Sequence, residues 1–267
     1  MRRSVDVEEL LDGPLEDRRA VVGNLRDLAR ANRWLGGVSL SARGLAALAP
    51  ADVPLSVVDV GTGGADIPIA LIDRARGGRR RLTVTAVDNR PEILEAAVLA
   101  QPRLSTTADL ALRFADGRFL PFADRSFDIA HASLVLHHLE PPAAVELLRE
   151  MARVARRGVV VNDLVRGRLF WLGAWLLSHL TTTNRFTRHD APLSVSRAYT
   201  VAELTSLLAA AGLRVEATAF GPFRHRVMLA ATPVPIGAPG AADGAGTTGA
   251  ADTAGEADAT RTNEAAK

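Results

Sequence analysis

A short apolar run that ends in an acid and turns through glycines into an apolar helix constrains this chain more than any other feature. Residues 57–66 read Val-Val-Asp-Val-Gly-Thr-Gly-Gly-Ala-Asp. Val57 and Val58 suit a buried strand, Asp59 falls near its carboxyl end, and Gly61, Gly63 and Gly64 permit a close backbone approach before the helical segment Ile67 to Ile72. A second β-type run, Leu82 to Val87, ends in Asp88, and Pro91 opens the helix-compatible stretch Glu92 to Ala100. Ligands of open α/β sheets bind in the crevice at the carboxyl ends of the strands, where an acid such as Asp88 accepts hydrogen bonds from a ribose.

Glycines alone do not identify the ligand, since tight turns need them in any case. The dinucleotide fingerprint has its third glycine where this chain carries Asp66, and a carboxylate there repels a pyrophosphate. That disfavours a nicotinamide-dependent oxidoreductase. Asp59 and Asp66 favour a ligand end that bears positive charge, such as the ammonium and sulfonium of S-adenosylmethionine.

Four further segments strengthen that direction: Asp59-Val-Gly61-Thr-Gly63-Gly64, Asp88, Phe114-Ala-Asp116-Gly117, and the run from Leu120-Pro-Phe through Ser126-Phe-Asp128 to His137-His138-Leu139. On these the chain resembles the class I S-adenosylmethionine-dependent methyltransferases over roughly residues 55–231, and is similar to the small-molecule enzymes of the ubiquinone/menaquinone-biosynthesis type. The resemblance implies that Asp59, Gly61, Thr62, Gly63 and Asp66 surround the methionine part of the donor and that Asp88 takes the ribose. It also implies that Asn89 lies near adenine, that Asp116 with Gly117 meets its amino group, and that Ser133 belongs to the same site. S-adenosylhomocysteine would be the product.

From Leu55 the pattern alternates strand and helix, with strands expected near 55–60, 82–87, 110–114, 127–132 and 158–163. The expected fold is α/β, a doubly wound Rossmann-like sheet with helices on both faces. After a helix over Thr200 to Ala211, the runs Leu213 to Phe220 and His225 to Ala231 would add an antiparallel hairpin, making seven strands as in the resembled family. The organisation expected is an N-terminal helical cap over 1–50, a methyltransferase domain over 51–231 with a substrate-side insertion at 164–199, and a disordered Ala/Gly/Thr-rich tail over 232–267. The tail cannot offset an ordering cost of roughly 1–2 kcal/mol per residue.

With 267 residues and 48% hydrophobic composition, the chain supports one catalytic unit. It has no cysteine, and its six histidines show no HExxH-like spacing, so no metal is expected. A net charge of +2 without a basic stripe argues against nucleic acid, and the absence of a signal-like apolar run at the start points to a cytoplasmic protein. The most apolar stretch, Leu169 to Leu180, is short of the about 20 residues that span a bilayer. It suits a pocket wall, peripheral membrane contact or a subunit interface, so monomer and homodimer both stay open.

Methyl transfer to a hydroxyl needs the hydroxyl proton removed. His137 and His138, after the fourth strand, are the candidate bases, His137 preferred, with Asp163 to orient the imidazole. His189 with Asp190 is an alternative acid/base pair, and Arg197 a candidate contact to an acceptor oxygen. Arg33, Trp34, Trp171 and Trp175 are candidate substrate contacts. The expected reaction is O-methylation of an apolar phenol, quinol or polyketide-like small molecule. C-methylation of an activated ring and an inactive donor-binding partner or sensor are the alternatives.

Overall fold

The computed structural model describes residues 1–5, 7–78 and 80–234. In β1 (Leu55–Val60) the pleat divides the apolar residues: Val57 joins one core layer, while Val58 and Val60 join the other. In β2 (Leu82–Asp88), β4 (Phe127–Ser133) and β5 (Ala155–Leu164) the central residues are buried likewise, while polar residues stand at the strand ends and at Thr83 and Thr85. With β3 (Leu110–Phe114), β6 (Leu213–Phe220) and β7 (Arg226–Pro233) they form one seven-stranded sheet in the order β3-β2-β1-β4-β5-β7-β6. The first five strands run parallel, and β7 is antiparallel to both β5 and β6. The strand order reverses between β1 and β4, which locates the binding crevice at their carboxyl ends.

The described residues contain eight α-helices: α1 (Arg18–Trp34), α2 (Gly37–Leu48), α3 (Asp66–Arg76), α4 (Pro91–Ala100), α5 (Pro141–Val154), α6 (Arg168–Thr181), α7 (Arg185–Arg197) and α8 (Val201–Ala210). On one face Leu147, Leu148 and Met151 of α5 and Leu204 and Leu208 of α8 pack on Val58, Val159 and Leu229. On the other, Leu40 and Leu45 of α2 and Leu71 and Ile72 of α3 pack on Val57, Ile129 and Val160. At Gly44 a β-carbon would lie 2.4 Å from Val160 Cγ1, so glycine lets α2 ride directly on β5. Each large core side chain contributes about 1.5–3 kcal/mol through burial.

The structure departs from the sequence expectation at four places. Within the helical cap expected over 1–50, Val7 to Leu11 is not helical but an irregular segment that ends in a turn. The insertion expected at 164–199 is largely helical, with Arg188-His189-Asp190 inside α7, started by Asn184, whose side chain accepts from the Phe186 and Thr187 amides. Of the expected N-terminal cap, α2 belongs to the layer covering the sheet. Finally, Thr232 and Pro233 pair with Arg214 and Leu213 in the last strand, so a tail cannot begin at 232; the expectation for 235–267 lies outside the described residues. Thr200 forms the capping box of α8 with Glu203.

Candidate functional site

The glycine turn follows β1 into α3. Gly61 has a φ of +68°, and a β-carbon on it would lie 2.5 Å from Val135 Cγ2. Glycine is therefore required twice over, for conformation and for the approach of the loop that carries His137. Gly63, at φ +53°, has nothing within 4 Å on its side-chain side, so the turn is open there. Asp88 closes the turn: its Oδ2 accepts from the Gly63 amide at 3.0 Å and its Oδ1 from the Arg90 amide at 3.1 Å. Burial raises the Asp88 carboxyl above its ordinary value. Thr62 Oγ1 is buried and has no hydrogen-bond partner among the described residues.

These features fit S-adenosylmethionine. A buried hydroxyl without a partner, an open glycine edge and an acid at the end of β2 would together hold a polar nucleoside with an amino-acid end. Asp66, at the start of α3, accepts from Asn32 Nδ2 at 3.0 Å, and burial pushes its carboxyl up to about 6. Asn89 is exposed beside Asp88. Asp116 is held by Arg118 at 3.0 Å, which keeps its carboxyl below the usual range, and Gly117 packs so closely that a β-carbon would lie 2.5 Å from Val60 Cγ1. Two other donor candidates are engaged within the protein: Asp59 Oδ1 is bound to His131 Nδ1 at 2.5 Å, and Ser133 Oγ accepts from Arg226 at 2.6 Å.

His137 and His138 sit on a short helical turn, Leu136–His138, after β4. Asp163, near the end of β5, accepts the Leu136 amide at 2.9 Å and His137 Nδ1 at 2.7 Å. Burial opposes ionisation of Asp163, but the His137 imidazole, the Leu164 amide that donates to Oδ1 at 2.7 Å and the Arg226 guanidinium outweigh it and hold the carboxyl below its ordinary value. His138 Nδ1 in turn lies 2.9 Å from Asp12 Oδ1. Both imidazoles thus present Nε2 to one carboxylate, Glu9, at 3.7 Å for His137 and 3.9 Å for His138.

Glu9 had no signal in the sequence. It is 4% exposed while Val7 and Leu10 beside it are 47% and 38% exposed, the reverse of what hydrophobic patterning assigns. Burial pushes its carboxyl up to about 7 against the pull of His138. The segment that carries Glu9 is tied down by polar contacts as well as by Leu11 and Leu15, which pack against the core. Ser4 donates to the Ser196 carbonyl, Arg3 to the carbonyls of Arg197 and Leu139, and the Leu10 and Leu11 amides to the Asp190 carboxylate. Arg90, two residues past Asp88, donates to the carbonyls of Leu11, Asp12 and Gly13. One strap therefore covers both the end of β2 and the histidine pair.

The remaining candidates are placed as follows. Arg197 is buried, donating to Asp12 at 2.8 Å and to the His138 carbonyl at 2.9 Å. His189 Nδ1 lies 2.8 Å from Asp190 Oδ1, but the same carboxylate holds the strap amides and His189 is half exposed. Arg33 and Trp34 point outward, Trp34 being 75% exposed; it is the neighbouring Asn32 that turns inward. Trp171 and Trp175 lie partly exposed on α6, Trp175 stacked on His179 with ring centroids 4.6 Å apart. No helix among the described residues is long and apolar enough to cross a membrane.

Residues 57–158 match a family described as a methyltransferase domain. Among solved structures, a SAM-dependent methyltransferase from Aquifex aeolicus aligns with a TM-score of 0.57 at 18% identity, covering 80% of this chain and 98% of the other. An O-methyltransferase family 2 protein from Planctomyces limnophilus, in complex with apigenin, aligns at 0.58 and 18% identity over 82% of this chain and 62% of its own. An O-methyltransferase from neocarzinostatin biosynthesis, bound to S-adenosyl-L-homocysteine and 1,4-dihydroxy-2-naphthoic acid, aligns at 0.58 and 20% identity over 82% of this chain and 59% of its own. The chain thus spans about three fifths of the length of the last two.

Proposed function

We propose that this chain, a class I S-adenosylmethionine-dependent methyltransferase, methylates a hydroxyl oxygen on an apolar small molecule of the phenol, quinol or polyketide type. The observation that carries the reading is the buried His137–Asp163 pair beside the glycine turn, with Gly61 packed against Val135 two residues before the histidine. Bound S-adenosylmethionine supplies a methyl group activated on a sulfonium.

Asp163 fixes the His137 tautomer by accepting from Nδ1, which leaves Nε2 as the proton acceptor. A phenol with pKa near 10 is mostly protonated at neutral pH, and a positioned base contributes about 10²–10⁴-fold. Asp88 and the glycine turn would hold the ribose and the amino-acid end, while the strap carrying Glu9 excludes water from the histidines. Alignment of oxygen and methyl group contributes further, up to about 7–11 kcal/mol in favourable systems. The aromatic hydroxyl compounds bound to two of the structural relatives are consistent with such an acceptor.

The test is turnover of S-adenosylmethionine with a panel of naphthols, hydroquinones and alkylated phenols, with the products analysed by mass spectrometry and NMR. A new methoxyl signal supports the reading. Tight S-adenosylhomocysteine binding with no product from any hydroxylated acceptor, or a product methylated on carbon, overturns the oxygen assignment.

A further inference from the structure

Two neighbouring imidazoles each have Nδ1 on a carboxylate, His137 on Asp163 at 2.7 Å and His138 on Asp12 at 2.9 Å. An Nδ1 that donates to a carboxylate leaves a lone pair on Nε2, the arrangement by which outer carboxylates prepare histidine for a metal. Both Nε2 atoms face Glu9, whose oxygens stand 3.7 and 3.9 Å away, beyond hydrogen-bond length. Glu9 is 4% exposed, its Oε1 has no hydrogen-bond partner among the described residues, and the Ser194 hydroxyl is the neutral donor beside its carboxylate. Three electron-pair donors thus converge inside the molecule, with the Arg197 guanidinium 3.9 Å from Glu9 Oε1 at their edge.

We propose that Glu9, His137 and His138 bind one divalent transition-metal ion of the zinc or cobalt type. Their ligand atoms all lie within 4.8 Å of one another. Bonds of about 2.0–2.1 Å set tetrahedral ligand atoms about 3.4 Å apart, so the pairs need to close in by about 0.3 Å to about 1.4 Å. Two imidazole nitrogens and one carboxylate select a transition ion over calcium or magnesium, which prefer oxygen sets. The adverse charge nearby is Arg197, 3.9 Å from Glu9 Oε1, and it is engaged by Asp12 at 2.8 Å. Three protein ligands leave a coordination position for an acceptor oxygen or water. Ion and proton compete for His137 Nε2, so the metal-loaded state and the proton-accepting state exclude one another. Sequence spacing gives no hint of the set, because Glu9 reaches the histidines only through the folded strap.

That the site lies at the acceptor end rests on the methyltransferase reading; the binding itself does not. The experiment titrates chelator-treated full-length protein with Co²⁺, following visible d–d absorption, with Zn²⁺ as competitor. One ion per chain is expected, with affinity at least about 10-fold weaker in Glu9→Gln and in His138→Gln. No stoichiometric binding, or equal affinity in folded variants, overturns the site. Should either variant fail to fold, wild-type protein loaded with Co²⁺ gives the answer: two hyperfine-shifted imidazole N–H resonances support the site and none overturns it. A parallel titration with S-adenosylhomocysteine reads the donor site separately. Donor binding without metal binding removes the ion alone, and loss of donor binding removes the reading beneath it.

Discussion

Arg226, the first residue of β7, donates from Nη1 to the side-chain oxygen of Asn32 in the last turn of α1 at 2.7 Å. Its Nε and Nη2 reach Asn162 at 2.7 Å and Ser133 at 2.6 Å. From Asn32 the chain of hydrogen bonds continues to Asp66; from Asn162 it runs through Ser41 and His131 to Asp59. One buried guanidinium thereby links both acids that flank the glycine turn to the strands behind it. Burial lowers its pKa to about 10, with Asp163 and Asp66 opposing the shift.

Arg226→Met should destabilise the protein by about 3–5 kcal/mol, since it leaves Asn32, Asn162 and Ser133 without their donor inside the core. Urea denaturation measures it. Arg226→Lys should not restore stability, because an ammonium cannot reproduce the three-way fork. Equal stability of the lysine variant and wild type would show that charge alone suffices.

Asp88→Ala removes the acceptor of both the Gly63 and Arg90 amides as well as the expected ribose contact. Calorimetry should find S-adenosylhomocysteine affinity reduced by roughly 10–100-fold, about 1.4–3 kcal/mol. An unchanged affinity would take Asp88 out of the donor site.

For methyl transfer, His137→Gln should lower kcat by about 10²–10⁴-fold while donor affinity stays within about 2-fold. Asp163→Asn should act in the same direction, because an amide at that position no longer specifies the Nδ1–H tautomer. Single-turnover kinetics separate these effects from binding. A full rate in His137→Gln would transfer the role of base elsewhere.

The Glu9 carboxyl provides a pH test. Its folded value of about 7 lies above the ordinary 4.5, so the folded state holds the proton more tightly than the unfolded chain does. That contribution is complete below about 4.5 and is lost as pH rises through about 7, at a cost of roughly 3 kcal/mol. In metal-free protein, Glu9→Gln should therefore gain stability over wild type at pH 8 relative to pH 5. A difference between the two proteins that does not change with pH would contradict the burial of an ionisable Glu9.

The parallel strands and the glycine turn were legible because each depends on neighbours in sequence. Val57 and Val58 at strand spacing, glycines at the turn, and Asp88 at the end of the next apolar run carry their meaning within a few residues. Tight packing of Gly61 on Val135 and of Gly44 on Val160 was not legible, since the partner is distant. The helix around His189 was not legible because its amphipathic pattern is weak; Asn184 as N-cap and packing against α6 and α1 make it helical.

The sequence by itself determined the class of fold, the position of the crevice and the candidacy of Asp88, His137 and Asp163, because apolar period, glycine placement and strand-end acids are local properties. Only the tertiary structure decided which acids face which histidines. Asp59 turns to His131, while Glu9, in a segment with no helical or strand period, is buried against His137 and His138. Backbone and ionic contacts to Asp190, Arg90 and Arg197 fix that strap, and such contacts leave no periodic trace in a sequence.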